Sequence, residues 1–150
     1  MDWAYEVWDD MLKALHSKEG GRRAVASQVL CNLAKSDPQN RMLNDFDEVF
    51  AVTRDAKFVT ARHCLQSVWK VGIVSDQHRA LVVDRLAKRF ADCTSEKNAT
   101  LIRYDIVVDL FKIHEATRDD AVKQQALSLI ETESDIKYRK KYASVWRAAS

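Results

Sequence analysis

The sequence predicts an all-α fold: about four antiparallel helix pairs, eight helices, stacked as a repeat array. Three observations carry that expectation. An arginine recurs at Arg23, Arg62, Arg103 and Arg139, at intervals of 39, 41 and 36 residues. Seven positions after each stands a large apolar residue, Leu30, Trp69, Leu110 and Trp146, two turns along the same helical face. Glycine occurs three times and proline once among 150 residues, too little turn chemistry for a sandwich or barrel of many short strands. Helical arrays bury each repeat against its neighbours and leave a long surface for partners. One domain over residues 1–150 is expected, with repeats at approximately 1–37, 38–76, 77–117 and 118–150.

The elements follow from periodicity and punctuation. Residues 3–15 place Ala4, Val7, Trp8, Met11, Leu12 and Leu15 on one stripe, and residues 17–21 interrupt it. The second helix spans residues 22–35 with Val25, Val29 and Leu33 inward, and Ser36-Asp37-Pro38 stops it and starts the next. Repeat two pairs residues 42–53 (Leu43, Phe46, Val49, Phe50) with 59–74 (Leu65, Val68, Trp69) across a short turn. Repeat three pairs 78–91 (Leu81, Val82, Leu86, Phe90) with 100–115 (Ile102, Ile106, Leu110, Ile113). Repeat four pairs 119–131 (Val122, Ala126, Leu127, Ile130) with 135–149 (Tyr138, Tyr142, Val145, Trp146).

The segment Asp55-Ala56-Lys57-Phe58-Val59-Thr60-Ala61-Arg62 resembles the centre of a HEAT-like repeat of the armadillo type, in which an aspartate sits in the turn within the repeat and an arginine lies early in the second helix. Residues 96–103 and 133–139 are looser versions, and Glu19-Gly20-Gly21-Arg22-Arg23 is looser still. The resemblance covers the whole chain. It implies a right-handed solenoid with first helices on the convex side and second helices on the concave side.

Composition narrows the functional classes. The formal charge of +2 does not by itself imply nucleic acid, although Lys137, Arg139, Lys140, Lys141 and Arg147 form a local basic cluster. Three widely spaced cysteines and the lack of a signal-like start suggest reduced thiols in a cytoplasmic protein. No stretch approaches the roughly 20 apolar residues of a membrane span. The histidines do not pair with the cysteines at metal-ligand spacing, and no phosphate loop, Gly-x-Ser-x-Gly or His-Glu-x-x-His motif is present. Neither a metal nor a cofactor is expected.

Candidate binding residues come from the positions zero, one, four and eight after each recurring arginine, which share one helical face. These are Arg23, Ala24, Ser27 and Cys31; Arg62, His63, Gln66 and Lys70; Arg103, Tyr104, Val107 and Phe111; Arg139, Lys140, Ala143 and Arg147. Arg62, Gln66, Lys70, Arg103, Tyr104, Phe111, Arg139 and Arg147 are the candidates for a basic groove with aromatic residues between, suited to an acidic peptide or a phosphate backbone. The arginines also have a structural use, holding turn carboxylates such as Asp55, Glu96 or Asp135.

The third repeat breaks its apolar pattern with Asp105, Asp109 and Lys112 where its siblings carry Val25, Val29, Asn32 and Cys64, Val68, Val71. Two aspartates four apart on a helix repel and need a cationic neighbour. Resemblance to the alkylpurine DNA glycosylases built on HEAT-like repeats implies a role for Trp69, Trp146, Asp109, Arg62 and Arg103 on the concave surface; the sibling residues Leu30 and Leu110 instead place the two tryptophans in the core. The reading favoured is a non-catalytic interaction scaffold for a protein or peptide. The alternative is a nucleic-acid-binding module related to those glycosylases. Trp3, Tyr5 and Trp8 also suggest an aromatic contact edge for self-association on the first helix.

Overall fold

The computed structural model describes residues 2–147, with side chains from Tyr5 onward. Its described residues are all-helical, with no strand. The α-helices are α1 (Asp2–Ala14), α2 (Gly20–Leu33), α3 (Arg41–Phe50), α4 (Phe58–Leu65), the single turn α5 (Trp69–Gly72), α6 (Asp76–Asp92), α7 (Ala99–Thr117), α8 (Asp120–Glu131) and α9 (Ile136–Arg147). Short 3-10 turns extend α2, α3 and α6 over Ala34–Ser36, Ala51–Arg54 and Cys93–Ser95. No helix here is long and apolar enough to cross a membrane.

Local chemistry sets the boundaries. Ser75 accepts from the His78 N–H to start α6, and Asp119 accepts from Ala121 to start α8. Asp55 and Asp135 each accept from the amide two residues on, Lys57 and Lys137, and so shape the turns that lead into α4 and α9. Asn40 holds the left-handed conformation, φ 52°, that an asparagine tolerates well.

The helix expected over residues 59–74 is not continuous. Beyond Leu65 the backbone bonds shorten, with Ser67 N–H donating to Cys64 and Lys70 N–H to Ser67. The Ser67 hydroxyl takes the His63 carbonyl, so a side chain replaces a backbone donor and the helix tightens. Gly72 closes the segment where a Cβ would lie 2.7 Å from Ile113 Cδ1, so a larger residue there would have to displace the buried Ile113 side chain.

Contacts order the helices in two rows. α2 packs on α4 and α5, these pack on α7, and α7 packs on α9; α3 packs on α6 and α6 on α8. A continuous apolar core runs between the rows, built around Leu30, Met42, Phe46, Leu86, Leu110 and Tyr142. The α2 face differs from expectation. Ala24, Ser27 and Cys31 are buried, whereas Val25 is 54% exposed. Small side chains let α4 and α5 pack closely against that side of α2, which turns Val25 outward.

The first helix packs on α2 and is also tied by two polar tips to α3 and the segment before it. Trp8, 1% exposed, donates from Nε1 to Asp45 at 2.9 Å, and Tyr5 donates to Asp37. The contact edge expected from Trp3, Tyr5 and Trp8 is therefore not available at Trp8; the Trp3 side chain lies outside the described residues.

Candidate functional site

The recurring arginines do not all hold the same kind of partner. Arg23 forms a two-pronged pair with Asp55, Nε to Oδ2 at 2.5 Å and Nη2 to Oδ1 at 2.9 Å, and also donates to the Ser17 carbonyl. Arg103 is 8% exposed, pairs with Glu133 at 2.9 Å, donates to the Phe90 carbonyl and lies 4.4 Å over the Phe90 ring. Arg139 donates to the Glu133 carbonyl. All three serve turns between helices.

Arg62 departs from that pattern. The carboxylate of Glu96, in the turn before α7, is taken by Arg89 from α6, whose side chain is buried and also reaches the Thr53 carbonyl. Arg62 pairs instead with Asp105 inside α7, Nε to Oδ2 at 2.9 Å and Nη2 to Oδ1 at 3.3 Å, and Gln66 donates to the same carboxylate at 3.4 Å. Its Nη1 makes no hydrogen bond among the described residues.

This departure creates a polar cavity of about 520 Å³ between α4 and α7, with Arg62, His63 and Ser67 on one wall and Tyr104, Asp109 and Lys112 on the other. Asp109 is 1% exposed, and its carboxyl has no hydrogen-bond partner among the described residues. Burial, and secondarily the charge of Asp105, raise its carboxyl well above the usual range, with Lys112 opposing them. The Lys112 ammonium lies 5.4 Å over the Trp69 ring. Burial likewise pushes the Cys64 thiol up to about 12, and Cys31 is raised for the same reason, so both stay neutral beside the cavity.

Two of the further depressions are lined by α2. One, of about 640 Å³, lies between α2 and the start of α4, is bordered by Val25, Phe58 and Val59, and shares Gln28 and His63 with the polar cavity. The other, of about 510 Å³, is bordered by Cys31, Lys35, Trp69, Lys70 and Ile73.

Of the residues singled out from sequence, Arg62, Gln66 and Tyr104 meet at the polar cavity and Lys70 borders the second of the two depressions, donating to Asn32 at 2.8 Å. Arg103 is withdrawn into its internal ion pair. Phe111 packs edge-on against Trp146 at 5.3 Å, and Trp146 is 7% exposed. Arg139 is occupied with its turn, and Arg147 is exposed on α9. Face periodicity missed the apolar border: Val25 read as core, and Val59 and Ile73 were not singled out.

Comparison with known proteins yields no match: no family model, curated protein or solved structure is significantly similar to the chain. The site therefore has to be read from its own chemistry.

Proposed function

We propose that the chain is a short right-handed solenoid of four HEAT-like helix pairs that binds a protein or peptide segment on the face of its second helices, without catalysing a reaction. The ordered contacts of α2, α4 with α5, α7 and α9 support the architecture. One observation carries the function. Four large apolar side chains are exposed among the described residues, Val25, Val59, Ile73 and Ile136, and the first three border the depressions lined by α2. Apolar depressions beside a polar, hydrogen-bonding cavity suit an extended segment with alternating apolar and polar side chains.

Selection of peptides from a display library tests this reading. Val25 is 54% and Val59 69% exposed, so Val25→Glu with Val59→Glu should leave the helical content unchanged and abolish binding of the selected peptides. Equal binding to wild type and variant would overturn it. Lys35, Lys57, Lys70 and Lys112 border the same depressions and support the second reading, nucleic acid. Oligonucleotide affinity that falls steeply with salt, in a protein that selects no peptide, would replace the first with the second.

A further inference from the structure

The polar cavity contains more than a solvated charge cluster needs. Asp105 is fully engaged by Arg62 and Gln66, whereas the Asp109 carboxyl is enclosed and has no hydrogen-bond partner. Leaving a buried polar group unsatisfied is costly, so an occupant that satisfies it is favoured.

The charges select the occupant. Arg62 and Lys112 are set against the single carboxylate of Asp105, which leaves one positive charge between these three side chains when Asp109 is protonated. Lys112 is held over Trp69, and Arg62 has Nη1 unused. Both cationic side chains line the cavity, so the occupant they favour is one that accepts hydrogen bonds. A dianionic phosphoryl group would exceed the single positive charge and face Asp105 at short range, whereas a monoanionic carboxylate matches it.

We propose that this cavity is a socket for the carboxylate of an aspartate or glutamate side chain in the bound peptide, with Lys112 and Arg62 Nη1 as cationic donors and Asp109 as the third contact. The inference rests on the peptide-binding reading. In its protonated form Asp109 donates to the incoming carboxylate. The charged and titratable groups around it are Asp105 and Lys112 on α7, Cys64 on α4 and Cys31 on α2, with Arg62 and His63 of α4 on the facing wall of the cavity. Acid-to-carboxylate pairing requires the proton, so affinity falls as pH rises through the Asp109 pKa.

The probe is N-acetylglutamate α-amide, with N-acetylglutamine α-amide as its neutral isostere, titrated into the full chain and followed by amide NMR shifts around Ser67, Tyr104 and Lys112. The glutamate compound should bind at least about tenfold more tightly than the glutamine compound, and Lys112→Met should weaken it by about tenfold, as a charge-assisted bond requires. Asp109→Leu should weaken binding. Asp109→Asn, which keeps a donor, should retain binding and lose the pH dependence. Equal affinity for the two compounds, or wild-type affinity in a folded Asp109→Leu protein, overturns the proposal. Display-selected peptides that show no preference for glutamate over glutamine overturn it too, while leaving the peptide-binding reading in place.

Discussion

The turn that leads into α4 and the turn that leads into α7 start from the same sequence device and end as opposites. In the first, Arg23 grips Asp55, whose carboxylate also accepts from the Lys57 amide, and the turn is sealed. In the second, Arg89 has taken the turn acid Glu96, so Arg62 is drawn to Asp105 and a cavity stays open beside Asp109. Their acids respond in opposite directions. The Arg23 hydrogen bonds hold the Asp55 carboxyl below its ordinary value, whereas burial holds Asp109 well above it. One turn is arranged for stability; the other keeps a polar cost that a ligand can relieve.

The comparison breaks most severely if a sealed turn is opened. Arg103→Met, which leaves Glu133 buried without its cation, should cost about 3–5 kcal/mol in denaturant unfolding, as removing one partner of a buried pair does. A loss under about 1 kcal/mol would mean that this pair does not seal the turn that leads into α9.

Next in size is Asp55→Ala, which deletes two bonds from Arg23 and one from Lys57 and should cost about 2–3 kcal/mol at neutral pH. Because the folded value is lowered, this stabilisation is present above the unfolded carboxyl value of about 3.9 and is lost as pH falls through the folded one. The gap between wild type and variant should therefore shrink in acid.

Asp109→Asn should act with the opposite sign, stabilising the protein by about 1–2 kcal/mol at neutral pH. Here the folded value is raised. The wild-type contribution is fully present below the unfolded value of about 3.9 and is lost as pH rises through the folded value, so the advantage of the variant should grow with pH. Equal stability of the two proteins across pH 4–8, by thermal melts, would show that Asp109 is not held protonated.

The smallest effect concerns Asp105. Asp105→Asn is chemically the counterpart of Asp55→Ala, yet it should change stability by less than about 1 kcal/mol, because the Arg62 side chain it releases is 36% exposed and can be solvated. A double-mutant cycle between Asp105→Asn and Asp109→Asn should show the two coupled.

Much of the architecture was legible because it depends on short-range rules. The 3.6-residue spacing of Phe46, Val49 and Phe50, or of Ile106, Leu110 and Ile113, marks buried stripes that the structure keeps. The break after Leu65 was not legible, because Ser67 reads as an ordinary helical residue until its hydroxyl is seen on the His63 carbonyl. Nor was the exposure of Val25, which follows from how closely α4 and α5 approach the small side chains of α2. The site was half visible: Arg62, Gln66 and Tyr104 came from register, and Asp105 with Asp109 from a broken apolar pattern.

By itself, the sequence determined the helical class, the approximate extents of the helices and the recurrence of the arginines, since each rests on spacing along one helix or on composition. The tertiary structure alone decided which carboxylate each arginine holds. Ion pairs between helices depend on a competition among side chains some 30 to 43 residues apart. Arg89, outside the recurring set, won that competition at Glu96, and its success turned a fourth structural arginine into the wall of a cavity.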